Sequence, residues 1–199
     1  YGLVGSEMCI RDRYNRDNVP VMIVAYTAAS PDKQVQCIAY SLDNGRTFTK
    51  YPENPVIDSK HIWNSIDTRD PKVFWYKPGK HWVMVLNERD GHSIYISSNL
   101  KEWTYQSHIT GFWECPELFE LPIDGDPNNT KWVMYGATGT YMLGSFNGKV
   151  FKPEMGKYQY TTGSIYAAQT FTNMPDGRRI QIGWGRISHP GMPFNGMMC

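Results

Sequence analysis

The sequence predicts an all-β chain that forms part of a β-propeller. A turn motif recurs three times along the chain, and a second, strand-like motif alternates with it. No stretch keeps the 3.6-residue apolar period of a helix. Short strands repeated in this way are typical of propeller blades, each a four-stranded antiparallel sheet. An ordinary β-sandwich is the alternative architecture, and the interleaved double series favours the propeller.

The turn motif consists of a Ser, an Asp or Asn two residues later, and an aromatic residue four or five positions beyond that. Asp and Asn favour tight turns, and the aromatic side chain returns the strand to the core. Each copy is therefore predicted to be the outer hairpin of one blade. The copies begin at Ser41, Ser97 and Ser145, at spacings of 56 and 48 residues.

The strand-like motif ends in a Phe, and a Gly- or Pro-containing turn and an apolar strand follow it. Its copies are at Phe74, Phe119 and Phe171, separated by 45 and 52 residues. The strands after the turns are predicted at residues 81–86, 131–135 and 178–182.

Together the two series predict about three blades plus the start of the next. Residues from about 19 to 51 supply the last strands of one blade, and further blades occupy 66–105, 112–153 and 162 onward. Because a partial propeller leaves strand edges unpaired, we expect blades to be missing on both sides.

Residues 1–13 do not fit this pattern, because they lack the alternation of a strand. They resemble translated sequencing-adapter read-through and are predicted to be non-native, so the prediction of the fold leaves them out. Residues 14–199 are predicted to be the partial propeller domain.

Composition narrows the class of protein. The 20 Lys and Arg nearly balance the 19 Asp and Glu, for a formal charge of +1, so no electrostatic footprint of a nucleic-acid binder is present. No apolar run approaches the roughly 20 residues of a membrane span, and no signal peptide is visible. The four Cys and five His lack metal-ligand or disulfide spacing, so we expect neither a metal nor a cofactor.

Two acidic residues occur at the starts of successive blades. Asp70 lies four residues before Phe74, and Glu114 lies five before Phe119. Because the first strands of propeller blades line one axis, both carboxylates are expected to meet at the mouth of the channel. Glycoside hydrolysis requires such a pair, and the charge of one carboxylate is expected to raise the pKa of the other, keeping it protonated. The alternative is an ordinary Arg69–Asp70 ion pair with Glu114 at the rim.

Two motifs carry a family resemblance. Residues 69–75, RDPKVFW, resemble the RDP motif of glycoside hydrolase family 32, and Glu114-Cys115 resembles its EC motif. Residues 166–171 and 182–184 are similar to the family's next blade, and the likeness extends from residue 20 to the end. The resemblance implies a five-bladed propeller and an enzyme that hydrolyses β-fructosides, such as sucrose, levan or inulin, with retention of configuration.

The resemblance also implies roles for individual residues. Glu114 is the expected general acid/base, and Asp70 is the expected transition-state stabiliser. Four residues are expected to contact the substrate, a fructose-containing oligo- or polysaccharide: Arg69, Cys115, Tyr166 and Trp184.

The family's nucleophile is an Asp in a WMNDPNG-like motif on the first blade, and this sequence contains no such motif. We therefore expect no nucleophile in this chain, and no activity from the chain alone. The first blade, the end of the propeller and the C-terminal β-sandwich are expected to be missing. A secreted or periplasmic parent protein is favoured.

Two rival functions remain open at this point. Residues 41–48 resemble the Asp-box turn of sialidases, which are also propellers, although that turn is structural. A non-catalytic sugar-binding propeller would keep the aromatic residues, 14% of the chain, without needing a paired acid.

Overall fold

A computed structural model describes residues 7–10, 21–161, 165–172, 174–186, 191 and 197–198. Within these ranges the strands form four antiparallel sheets that follow one another along the sequence, three with four strands and one with three. In every sheet the strands lie in chain order, so each sheet is a simple meander. The predicted all-β class and the four-stranded antiparallel sheets are confirmed.

The first two sheets are joined by a loop that carries a one-turn helix, α1 (Lys60–Trp63). The first sheet contains β1 (Glu7–Ile10), β2 (Val21–Ser30), β3 (Lys33–Ser41) and β4 (Thr49–Lys50). The second contains β5 (Thr68–Tyr76), β6 (His81–Glu88), β7 (Gly91–Ser97) and β8 (Thr104–Thr110).

The third and fourth sheets continue the series. The third contains β9 (Glu117–Ile123), β10 (Asp126–Tyr135), β11 (Thr140–Phe146) and β12 (Phe151–Gln159). The fourth contains β13 (Ile165–Phe171), β14 (Ile180–Arg186) and β15 (Met197–Met198). The outer strands β8 and β12 run past the predicted blade ends at 105 and 153, because each continues beyond the aromatic residue that closes its turn.

The three predicted turns share one hydrogen-bonding device. In each, the Asp or Asn Oδ1 accepts bonds from two backbone N–H groups two to four residues further along, at 2.8–3.0 Å. In the first turn, hydrogen bonds from Ser41 and then Thr47 lower the pKa of Asp43 to about 2. The side-chain oxygen thus accepts hydrogen bonds from backbone N–H groups that have no backbone acceptor in a tight turn.

Neighbouring sheets pack face to face, and β6 shows why. Val83, Met84, Val85 and Leu86 are all fully buried. Met84 and Leu86 belong to an apolar cluster shared with the first sheet, whereas Val83 and Val85 belong to one shared with the third. Because successive side chains of a strand point to opposite faces, a continuous apolar run requires a sheet on each side. This stacking directs the first strands β5, β9 and β13 to the same side of the assembly.

One sequence expectation differs from the structure. Glu7–Ile10, within the segment that the prediction of the fold left out, forms β1 and pairs with Val21–Val24 of β2. The first sheet therefore has four strands, not only the last strands of a blade. The exposed edge of β2 needs backbone partners, which any extended segment can supply whatever its side chains. The foreign origin of residues 1–13 stays a prediction.

Candidate active site

All the predicted site residues except Trp184 lie on, or just before, the first strands of three successive sheets. Asp70 is on β5, Glu114 and Cys115 immediately precede β9, and Tyr166 is on β13. The packing of the sheets brings these residues together although up to 96 positions separate them in sequence.

The backbone at these positions is unusual. Asp70, Glu114, Cys115 and Ala167 all have positive φ, at 60°, 51°, 42° and 53°, a region that residues with a Cβ rarely adopt. The strand register also shifts just after Arg69 in β5 and just after Tyr166 in β13. Such bulges re-aim side chains near functional sites. The sequence gives no sign of these bulges, because none of the four positions is a glycine.

Arg69 holds the acidic residues in one pocket. Its Nη2 lies 2.8 Å from Glu114 Oε1, its Nε lies 3.9 Å from Asp70 Oδ2, and its Nη1 contacts the Asp67 carboxylate. The side chains of Arg69 and of the three acidic residues are all largely but not fully buried. The expected convergence of Asp70 and Glu114 is therefore seen in the structure. Asp70 is the most distant of the three partners, so an ordinary Arg69–Asp70 ion pair does not describe the contact.

The pKa of Glu114 is shifted in the direction opposite to that expected. Partial burial acts to raise it, but hydrogen bonds from Tyr166 and Arg69 and the charges of Arg69 and Arg186 together lower it below its ordinary value. The prediction that neighbouring acid keeps this carboxyl protonated is wrong for the substrate-free site. The sequence indicated the acidic neighbour and Arg69, but it did not show that Arg69 hydrogen-bonds Glu114 or that Arg186 lies nearby.

Asp70 is the carboxyl whose pKa is raised. Burial is the main cause, and the negative charge of Glu114 adds to it, against hydrogen bonds and charge from Cys115 and Arg69. The Cys115 N–H donates to Asp70 Oδ2 at 3.0 Å, and its thiol lies 3.8 Å from the same oxygen. Burial, together with Asp70, raises the pKa of that thiol to about 12, so it remains a protonated donor.

Asn87 supports the backbone of Glu114, and sequence reasoning missed it. This fully buried side chain accepts a hydrogen bond from the Glu114 N–H at 2.8 Å. Its strand neighbour His92 is also fully buried, and its ring stacks on Phe112 at 5.4 Å. Burial lowers the pKa of His92 to about 3, so a neutral imidazole lies behind the acidic residues. No sequence motif marked Asn87, because its role depends on the positive φ of Glu114.

One aromatic side chain contacts Glu114, and two exposed ones are neighbours of the site in strand pairing or in sequence. The Tyr166 hydroxyl donates to Glu114 Oε2. Trp184 on β14 is the register partner of Tyr166, and nearly half of its surface is exposed. Trp113, next to Glu114, is similarly exposed. Exposed rings of this kind offer flat apolar faces to a sugar, and their exposure distinguishes them from the core aromatics.

A buried polar network ties the three first strands together below the pocket. Lys72 of β5 lies 2.7 Å from Glu117 of β9, and both side chains are buried. Lys72 also donates to the Thr170 carbonyl of β13 at 2.9 Å, while Thr170 donates to both oxygens of Glu117. These contacts fix the relative positions of the strands that carry Asp70, Glu114 and Tyr166.

A second constellation superficially resembles a catalytic triad. Ser93 Oγ lies 2.9 Å from His108 Nδ1, and His108 Nε2 lies 3.1 Å from Asp90. Ser93 is completely buried, so no substrate can reach its hydroxyl. This cluster therefore cross-links β7 and β8 rather than forming a site.

Across the described residues, no group of three or more His, Cys, Asp or Glu side chains could hold a metal ion. None of the described helices is long and apolar enough to cross a membrane.

Comparison with known proteins gives consistent matches. The profile of the glycosyl hydrolases family 32 N-terminal domain matches residues 4–196. A levanase of Bacillus subtilis is 45% identical over 186 residues, covering 82% of this chain and 27% of the levanase. An invertase of Debaryomyces hansenii is 39% identical over 171 residues, covering 76% of this chain and 31% of the invertase.

Solved structures agree with the sequence matches. The exo-inulinase of Aspergillus awamori superposes with a TM-score of 0.83 at 29% identity, covering 98% of this chain and 48% of that chain. The β-fructofuranosidase of Schwanniomyces occidentalis, complexed with fructosyl-erythritol, superposes with a TM-score of 0.79 at 33% identity, covering 91% and 39%. The propeller prediction is confirmed, and the Asp-box-like turn at residues 41–48 is a structural feature rather than evidence for a sialidase. The chain spans about a third of the length of its curated relatives and belongs to glycoside hydrolase family 32.

Proposed function

We propose that this chain is the part of a retaining β-fructosidase that supplies the general acid/base and the transition-state stabiliser. The observation that carries the proposal is the single Arg69 guanidinium in contact with both Asp70 and Glu114. Relatives named levanase, invertase and exo-inulinase support a fructose-containing substrate, either sucrose or a fructan.

Glu114 serves in both steps of a double displacement. In the first it protonates the oxygen that leaves with the aglycone. In the second it takes a proton from the water that releases fructose. The lowered pKa in the substrate-free pocket favours the carboxylate, which suits the second step. For the first step the active fraction is the protonated one, which declines as pH rises through the pKa. We therefore expect the pH optimum to lie on the acidic side of neutrality.

Asp70 accepts hydrogen bonds from fructose hydroxyls. Its position beside Glu114 and its bonds from Cys115 leave it oriented before substrate arrives. Hydrogen bonds that shorten as positive charge develops on the sugar ring contribute to transition-state binding. Arg69, Cys115, Tyr166 and Trp184 complete the contacts to the sugar in this proposal.

The nucleophile comes from outside this chain in our proposal. A retaining enzyme needs a second carboxylate about 5–5.5 Å from the acid/base. Among the described residues, the carboxylates that contact Arg69 are those of Asp67, Asp70 and Glu114. Asp67 and Asp70 both contact Arg69 at the start of one sheet, and our proposal assigns Asp70 to the substrate hydroxyls, so we take neither as the nucleophile.

A chimera tests the proposed function. Residues 21–199 replace the aligned segment of the Bacillus subtilis levanase, which supplies the rest of the enzyme. We expect the folded chimera to release fructose from levan, and the 199-residue chain alone to release none. A folded but inactive chimera would contradict the proposed function. Fructose release by the isolated chain would show that the nucleophile lies within it.

Replacing Asn87 tests how the acid/base is positioned. In the chimera, Asn87→Leu removes the acceptor for the Glu114 N–H, and we expect kcat to fall roughly tenfold with little change in KM, since one buried hydrogen bond is worth about 1–1.5 kcal/mol. Asn87→Ser keeps a neutral acceptor, adds no buried charge, and should retain more activity than Asn87→Leu. Equal losses in the two variants, or a loss confined to KM, would contradict this positioning role.

A further inference from the structure

The guanidinium of Arg186, the last residue of β14, lies over the ring of the active-site tyrosine. Its guanidinium carbon is 3.3 Å from the centroid of the Tyr166 ring. A guanidinium over an aromatic face is attracted by the ring quadrupole, and its planar shape allows it to stack. The contact joins the ends of two adjacent strands, since Tyr166 pairs with Trp184, two residues before Arg186.

The stacked tyrosine holds one side of the Glu114 carboxylate. Its hydroxyl donates to Oε2, while Arg69 donates to Oε1 at 2.8 Å. The two oxygens are therefore held by side chains from different blades. Arg69 contacts three carboxylates, whereas the Tyr166 hydroxyl donates its hydrogen bond to Glu114.

We infer that Arg186 is a positioning residue that fixes the Tyr166 ring so that its hydroxyl binds Glu114, and that supplies the pocket with a second positive charge. The inference concerns the state of Glu114 in the free protein, and its consequence for catalysis rests on the proposed acid/base role. No motif in the sequence marked Arg186.

The charges around Glu114 support this role. Arg69 and Arg186 are the cations that face it, Asp70 is the neighbouring acid, and the Tyr166 hydroxyl and Cys115 thiol are neutral donors. Burial and the adjacent Glu114 raise the pKa of Tyr166, and Arg186 opposes that rise. Arg186 is also among the groups that lower the pKa of Glu114. Removing this cation should therefore favour protonated Glu114.

The test is a titration of Glu114 in the 199-residue chain, followed by NMR of side-chain ¹³C-labelled glutamate. The Glu114→Gln variant identifies the signal. We expect Arg186→Met to raise the midpoint by roughly 0.5–1 pH unit, less than the 1–3 units of a closely paired, desolvated charge because Arg186 is exposed. Arg178→Met is the matched control, because Arg178 is an exposed arginine that pairs with Asp176. It should leave the midpoint unchanged.

Two further variants separate stacking from charge. Arg186→Lys keeps the charge but cannot stack as a planar group, so its midpoint should fall between those of the native chain and Arg186→Met. If Arg186 acts through Tyr166, the effects of Arg186→Met and Tyr166→Phe should be less than additive in the double variant. An Arg186→Met midpoint equal to that of Arg178→Met, or full additivity, would overturn the inference. Because no substrate is present, inactivity of the chimera would count against the proposed function and not against this result.

Discussion

Replacing Glu114 with Gln in the levanase chimera is expected to lower kcat/KM for levan by roughly 10²–10⁴-fold, the usual contribution of a general acid/base. The amide keeps the shape of the side chain but can neither donate a proton to the leaving oxygen nor remove one from water. The measurement is the initial rate of fructose release as a function of levan concentration.

The control for this prediction is Glu120→Gln. Glu120 is an exposed residue of β9 that accepts a hydrogen bond from Thr130, and its replacement should leave the rate within about twofold. A small loss in Glu114→Gln, comparable with that of the control, would remove Glu114 from the chemistry.

Replacing Lys72 with Met is expected to destabilise the chain by about 3–5 kcal/mol. The change removes the cation that contacts Glu117, whose side chain is fully buried, and leaves only the more distant charge of Arg179. Removing one partner of a buried ion pair leaves the other charge poorly compensated, which is strongly destabilising. Glu117 would keep its bonds from Thr170, which moderate the loss. Urea unfolding of the native chain and the variant, followed by circular dichroism, measures the difference.

The exposed pair between Lys131 and Glu154 provides a matched comparison. Both side chains are about one-third exposed, so Lys131→Met should cost no more than about 1 kcal/mol. In the buried network, Lys72→Met combined with Glu117→Leu should recover part of the loss, because no charge then remains unpaired. A cost for Lys72→Met no larger than that for Lys131→Met would show that the network does not hold the three strands together.

The sequence predicted those parts of the fold that depend on local chemistry. The turns beginning at Ser41, Ser97 and Ser145 were predictable because Asp and Asn side chains satisfy nearby N–H groups. The stacking of sheets was predictable because an apolar run such as residues 83–86 needs partners on both faces. β1 was not predicted, because strand pairing by backbone groups does not require an alternating side-chain pattern.

The site was predictable in its members but not in its electrostatics. Asp70 and Glu114 could be placed together because the repeat fixes their phase in successive blades. The direction of the Glu114 pKa shift could not be foreseen, since it depends on hydrogen bonds from Tyr166 and Arg69 and on the charges of Arg69 and Arg186. Tyr166 and Arg186 come from a sheet more than 50 residues away in sequence. The support from Asn87 was likewise invisible, because it requires a backbone with positive φ at Glu114.

The central claim is that Glu114 acts as acid and then as base in a retaining reaction, and azide rescue tests it most directly. A β-fructoside with an activated leaving group needs no acid, so the Glu114→Gln chimera should still form the fructosyl-enzyme but hydrolyse it slowly. Azide needs no base, so it should restore turnover and yield a fructosyl azide of β configuration. Absence of rescue in the folded variant, or an α-configured product, would contradict the account.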